Sequence, residues 1–141
     1  MSACVPRSIL LALLLGAAGC TLGAHVPANV RVGGSPGALP PAPVAGPTAS
    51  PRIVSVWLSA TTIAPMQRFD GAITTSTNVA SVEMRTETFS YDLPRRAFGQ
   101  FAFHYVMPEL PPPARRHYLL WIIARNAAGV QDVEGVPLWL K

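Results

Sequence analysis

The chain has 141 residues, a length that predicts one domain, or one small domain with appendages. Half of the residues are hydrophobic and 13% are charged, which excludes a charge-rich disordered protein. The net charge of +4 falls to +2 over residues 52–141, where eight Arg and one Lys stand against seven acids. The cationic pairs Arg95-Arg96 and Arg115-Arg116 are expected in separate loops. A phosphate-binding surface needs clustered cations, so the charge pattern argues against nucleic acid as a partner.

The first twenty residues have the composition of a secretory leader. Residues 1–7 carry one Arg and no acid, residues 9–15 are an unbroken apolar run, and small residues follow up to Cys20. These are the marks of a signal peptide, and the run is shorter than the about 20 apolar residues of a spanning helix. We predict a signal peptide over residues 1–19. An uncleaved anchor, or an ordinary secreted protein cut near Gly19 or Gly23, are the alternatives.

Residues 15–20 read Leu-Gly-Ala-Ala-Gly-Cys and resemble the lipobox of bacterial lipoproteins. In that family the leader is cut just before the cysteine, whose thiol receives a diacylglycerol and whose new amine is usually acylated. Two or more acyl chains give stable membrane anchoring. The resemblance therefore implies lipid attachment at Cys20 and export to a bacterial membrane, with the domain facing the periplasm or the cell surface. Thr21 in place of Asp resembles the pattern sent to the outer membrane, where the organism has one.

The only other cysteine, Cys4, lies in the leader, so the body of the protein has no thiol for catalysis or zinc binding.

Residues 20–51 are predicted to form the lipidated cysteine and a disordered linker rich in Pro, Gly and Ala. Residues 21–51 contain seven prolines, no aromatic residue and one full charge, Arg31, and so have little to bury. Residues 30–32 (Val-Arg-Val) are too short to count as a strand. The 31 residues would span roughly 95 Å if fully polyproline-like and roughly 30 Å as a coil. We expect a tether that lifts a domain off the membrane.

Residues 52–141 predict an all-β domain, because about seven short segments of alternating polarity recur between turn signals. We predict a single seven-stranded sandwich with residues 117–129 as its central strand. Leu120 and Ile122 then point into the core, and Arg125 points outward. Replacing either apolar residue with Ala should cost about 2–5 kcal/mol. Arg125→Ala should stay within about 0.5 kcal/mol.

The central strand is similar to the penultimate strand of immunoglobulin-like and fibronectin type III domains. The residues that carry the similarity are Tyr118-x-Leu120-x-Ile122-x-Ala124-x-Asn126-x-x-Gly129. In those families a Tyr near the start of the strand bonds back to the preceding loop, the tyrosine corner, and Tyr118 matches that position. The resemblance implies an immunoglobulin-like sandwich over residues 52–141. The inter-sheet disulfide and core Trp of antibody domains are missing.

No catalytic constellation stands out, so we predict a non-enzymatic protein without a metal or cofactor. The three His are far apart in the sequence, and neither a Gly-x-Ser-x-Gly elbow nor a Gly-rich phosphate loop is present. Asn126, Asp132 and Glu134 flank one loop and are a minor alternative as calcium ligands.

The outward positions of the last two strands are the candidate interaction surface. Contiguous exposed apolar area with aromatic anchors marks a contact surface. We predict a protein-interaction or scaffolding module of the cell envelope; the alternatives are a carbohydrate- or peptidoglycan-binding module that uses exposed Trp, or a face covered by the linker. Trp57 joins the surface if the first strand pairs with the last. The predicted surface consists of Trp57, Leu119, Trp121, Ile123 and Trp139.

Overall fold

The computed structural model describes residues 25–141, which form ten β-strands and one short 3-10 helix at Pro112–Ala114. The strands are β1 (Val30–Val32), β2 (Ile53–Leu58), β3 (Thr62–Ile63), β4 (Arg68–Thr75), β5 (Val79–Arg85), β6 (Ser90–Asp92), β7 (Arg95–Ala97), β8 (Gln100–Val106), β9 (His117–Asn126) and β10 (Gln131–Leu140). Cys20 and the predicted signal peptide lie outside the described residues. Between residues 25 and 141 there is no helix long and apolar enough to cross a membrane.

The strands form two five-stranded sheets, which confirms the all-β sandwich. The first sheet has the order β1-β2-β4-β8-β7 and the second the order β3-β10-β9-β5-β6. Neighbouring strands are antiparallel except for β1 on β2 and β3 on β10, which are parallel. β9 is the middle strand of the second sheet, as predicted for the central strand.

Alternate residues of the long strands fill the space between the sheets. On β9, Leu120, Ile122 and Ala124 are buried, as predicted. Phe69 on β4 and Phe103 on β8 meet them from the first sheet, with their ring centroids 5.1 Å apart in an edge-on arrangement. Period-two alternation of apolar and polar residues therefore identified the core faces correctly.

The structure has ten strands where the sequence predicted seven. Six long strands occupy the sheet interiors, and four strands of two or three residues (β1, β3, β6 and β7) occupy the four sheet edges. Arg95-Arg96, expected in a loop, lies in β7. Such edge strands are too short to display alternation, and short edge strands are a common way to protect a sheet from pairing with another chain.

The predicted disordered linker is not what the structure shows for residues 25–51. Val30–Val32, judged too short for a strand, forms β1, with Val30 opposite Val56. Farther along, the Thr77 N–H donates to the Pro43 carbonyl at 2.9 Å, and the Asn126 side-chain amide donates to the Ala49 carbonyl at 3.3 Å. The edge of β2 offers free backbone groups, and pairing with them compensates for the low apolar content of the segment.

This segment, which we call the wrap (residues 30–51), covers part of the outer side of the first sheet. Thr74 lies on that side, opposite Gln100, and is fully buried. Close packing occurs at Gly99, whose φ is +71°; a Cβ there would lie 2.5 Å from the Cβ of Ala42 and 2.6 Å from the Thr75 carbonyl oxygen. A glycine is therefore required both for the backbone conformation and for the approach of the wrap.

Candidate functional site

The outer side of β9 and β10 presents a row of half-exposed apolar side chains, which we call the contact face. Leu119, Trp121, Val133 and Trp139 are each 41–46% exposed. Of the predicted surface residues, Leu119, Trp121 and Trp139 therefore share this face and are open to solvent. Trp139 lies opposite His117 and Trp121 lies opposite Gly135, so about four residues, or roughly 13 Å of strand, separate the two indoles.

Trp121 lies against the backbone of the neighbouring strand. A Cβ added at Gly135 would come within 3.0 Å of Cζ3 of the indole and within 3.4 Å of the Leu119 side chain. The missing side chain at this position therefore leaves the space in which the indole packs. With one side supported in this way, Trp121 is a pre-formed aromatic anchor on the sheet surface.

Trp139 is supported differently, because its ring already has two neighbours. The His117 imidazole stacks on it with centroids 5.3 Å apart and an interplanar angle of 19°, and Lys141 Nζ lies 6.0 Å from the ring centroid. These contacts fix the orientation of the indole and place a cation at the end of the contact face.

Two residues of the predicted surface do not belong to an exposed face. Trp57 lies in the other sheet and is only 8% exposed, because the wrap covers it and its Nε1 donates to the Gly33 carbonyl at 3.0 Å. Ile123 does point outward on β9 but is 7% exposed. It stands between Glu83 on β5 and Val133 on β10, and these neighbours shield it.

Glu83 is a buried carboxylate on the outer side of the second sheet that the sequence did not reveal. Its oxygens accept hydrogen bonds from Ser90 Oγ at 2.6 Å, Arg85 Nη2 at 2.7 Å and Arg125 Nη1 at 2.7 Å. Glu83 and Arg85 alternate with the buried Val82 and Met84 on β5, a local pattern that places both charged side chains on the outer side of the sheet. Only the cross-strand register, which no local pattern encodes, brings Arg125 of β9 to the same carboxylate.

The Ser90 hydroxyl first, and then Arg125 and Arg85, lower the pKa of Glu83 from 4.5 to about 2 despite its burial. Because the folded-state pKa lies below the ordinary value, the ionised carboxylate stabilises the fold fully above pH 4.5, and the stabilisation is lost as the pH falls through about 2. We expect the difference in unfolding free energy between the unaltered protein and Glu83→Gln to be constant from pH 7 to 5 and to shrink below pH 4.5. Urea unfolding across this range measures it; a difference that stays constant down to pH 2.5 would contradict the assignment.

Cations surround the two anchors of the contact face. Arg85 lies directly opposite Trp121 in the register and keeps about half of its side chain in solvent, although it is bound to Glu83. Arg125 and Lys141 stand at the two ends of the row. The Glu83 carboxylate is shared between Arg85 and Arg125, and Asp92, which lies opposite Glu83 on β6, brings a second acid to the outer side of this sheet.

Tyr118, the predicted tyrosine-corner residue, lies at the beginning of β9. Its hydroxyl donates to the Ala114 carbonyl at 2.9 Å, and the guanidinium carbon of Arg116 lies 4.6 Å from its ring centroid. The hydrogen bond ties the start of the middle strand to the 3-10 helix that precedes it.

The oxygens considered as calcium ligands are engaged with protein donors. Asn126 Oδ1 accepts from the Val130 N–H at 2.9 Å, and Asp132 Oδ2 accepts from the Ile53 N–H at 2.7 Å. Glu134 Oε2 accepts from the Asn29 side chain at 3.2 Å. In the part of the chain that the structure describes, no three His, Cys, Asp or Glu residues are grouped as metal ligands would be.

No protein-family model matches this chain, and no curated protein matches it significantly.

Proposed function

We propose that this chain is an exported lipoprotein, anchored through Cys20, whose contact face binds a protein partner in the cell envelope in a non-enzymatic, scaffolding role. The observation that carries the proposal is the row formed by Leu119, Trp121 and Trp139, half exposed on two adjacent long strands. Large aromatic anchors with Arg nearby are the side chains that contribute most to protein interfaces. The cations beside the anchors favour a partner with an acidic, apolar surface.

The order of seven of the ten strands supports an immunoglobulin-like assignment of the sandwich. β2-β4-β8-β7 corresponds to the order A-B-E-D of that fold, and β5-β9-β10 corresponds to C-F-G. The hydrogen bond from Tyr118 to a carbonyl four residues upstream is consistent with a tyrosine corner. In this assignment the contact face is the outer side of the C-F-G sheet.

A glycan-binding module is the second candidate, and the packing of Trp121 over Gly135 favours it. A supported indole with one open side is the kind of platform on which a sugar ring stacks. Trp139 argues for protein instead, because His117 already stacks on its ring and Lys141 lies near it. We therefore place the protein-contact function first.

A photoreactive amino acid at position 121 tests the contact face in the intact chain, expressed in its own host. We expect discrete crosslinked protein products that disappear when Trp139→Ala is added. The matched control carries the same amino acid at position 106, since Val106 is also exposed but lies on the first sheet. Identical products from both positions would overturn the proposal.

Tryptophan fluorescence titrated with peptidoglycan fragments separates the two candidates. A glycan-binding module requires a spectral shift that Trp121→Ala abolishes. No response to any fragment from the unaltered protein removes the glycan candidate.

The proposed anchor is tested by fractionating cells that express Cys20→Ser. We expect this variant to leave the membrane fraction, whereas Cys4→Ser, which alters the other cysteine, remains there. Membrane retention of Cys20→Ser equal to that of the unaltered protein would contradict lipidation at this residue.

A further inference from the structure

A cavity of about 150 Å³ lies between the sheets, away from the contact face. It is at the end of the sandwich where β4 and β9 begin and β8 and β10 end. Leu120 and Leu138 line it from the second sheet, Phe69 and Met107 line it from the first sheet and its continuation, and Ala114 of the 3-10 helix lines one wall.

The chemistry of the lining is apolar and aromatic. No side chain of residues 25–141 that lines the cavity carries a charge. Phe69, Tyr105 and Tyr118 supply ring surfaces, and Met84 and Met107 supply thioethers, which make favourable contacts with aromatic ring edges. A charged molecule would lose its hydration here without gaining an ion partner.

An aromatic side chain lies at the solvent edge of the cavity. Phe89, in the loop between β5 and β6, is 37% exposed and lines the cavity. Its ring centroid is 5.6 Å from that of Tyr105 and 6.4 Å from that of Tyr91, and the Thr86 N–H donates to its carbonyl at 2.8 Å. Phe89 therefore belongs both to the cavity lining and to the surface of the protein.

The cavity lining has few polar groups that could form hydrogen bonds with a water molecule. The Tyr118 hydroxyl already donates to the Ala114 carbonyl, and Thr86 and Thr88 come from the loop at the mouth. An ordered water needs two to four polar partners, whereas an enclosed apolar cavity of about this volume in another protein accommodates a benzene molecule. Filling the space with carbon atoms would restore dispersion contacts that the lining lacks.

We propose that this cavity, which we call the Phe89 pocket, binds a small uncharged aromatic molecule of about one ring. The ring lies between Met84 of the second sheet and Met107, in contact with the aromatic lining and beneath Phe89. The pocket is separate from the contact face and does not depend on the proposed function of that face.

Toluene is the probe, and benzoate is its charged counterpart. With the full chain carrying Cys20→Ser and labelled at its methionine methyl groups, we expect nuclear Overhauser contacts from toluene to the Met84 and Met107 methyls. Met66, which is 70% exposed, is the internal control and should show none. We expect benzoate to bind at least tenfold more weakly. Equal contacts at all three methyls, equal binding of benzoate, or no toluene binding would each overturn the proposal.

Ala114→Leu, designed to fill the pocket, gives an independent test. We expect a folded protein whose melting temperature toluene no longer raises, whereas Ala128→Leu, on the exposed loop between β9 and β10, keeps the response. A toluene-induced increase that persists unchanged in a folded Ala114→Leu protein would also overturn the proposal.

Discussion

Ile122→Ala is expected to lower the free energy of unfolding by about 2–5 kcal/mol. Ile122 is fully buried at the centre of β9, the middle strand of the second sheet, and pairs with Met84 in β5 and Glu134 in β10. Truncation would leave a void that its neighbours on both sheets cannot close, because the interior is close-packed. Chemical denaturation measures the loss, and Leu120→Ala should fall in the same range.

Leu119→Ala is the matched control, since it removes a similar side chain from the same strand at a position 42% exposed. Its effect should stay within about 0.5 kcal/mol. Equal losses at Leu119 and Ile122 would show that the faces of β9 are assigned incorrectly.

The same experiment applied to Arg125 now carries a larger expected cost than the sequence suggested. From the sequence alone, the expected cost for a solvent-facing Arg is at most about 0.5 kcal/mol. Because Arg125 donates to the buried Glu83 carboxylate, we expect Arg125→Ala to cost about 1–2 kcal/mol, the range for hydrogen bonds to charged groups with partial compensation. Arg85 and Ser90 remain to satisfy Glu83 and limit the loss.

Trp57→Ala is the second large effect, at about 3–5 kcal/mol. The indole is 8% exposed between the first sheet and the wrap, and its Nε1 donates to the Gly33 carbonyl. Removing it takes away both a large apolar contact and one of the two hydrogen bonds at residue 33, whose N–H also donates to the Leu58 carbonyl. We also expect faster proteolysis within residues 34–41, because the cleft that the indole fills would release the wrap.

Trp121→Ala is the control for Trp57, because both residues are strand tryptophans that point away from the core. Trp121 is 41% exposed, so we expect its removal to cost less than half as much as that of Trp57. Denaturation in urea and limited proteolysis test the pair together. Equal stability losses and an unchanged cleavage pattern would contradict the role of the wrap.

Ile122 and Trp57 show which kinds of burial the sequence can predict and which it cannot. The inward face of β9 follows from alternation within ten residues, so it was predictable. The burial of Trp57 depends on a segment more than twenty residues earlier in the chain, whose prolines are typical of disorder. Composition indicates only how much apolar surface a segment can bury by itself. The wrap is held in place by hydrogen bonds and packing contacts with the first sheet, which composition does not reveal.

The candidate sites also divide into those that local alternation predicts and those that depend on contacts between distant parts of the chain. Trp121 and Trp139 were placed on one face by alternation, and the structure brings them onto adjacent strands. Glu83 could not be singled out, since its burial depends on the registers of β5 with β6 and β9. The Phe89 pocket collects residues from five strands and two connections, and no local signal marks such a meeting point.

Because β1 belongs to the folded domain, the tether between the proposed anchor and the domain is much shorter than a linker of 31 residues would be. Because Val26 already packs against the core, the chain from Cys20 to Val26 spans at most about 22 Å, at 3.3–3.6 Å per residue. Under the proposed anchoring, the short tether keeps the sandwich close to the lipid headgroups and limits how far the domain can move from the membrane. Its partner must come to the bilayer surface, so we expect lengthening of residues 21–24, and not changes to the proline-rich stretch, to extend the distance at which the partner can be met.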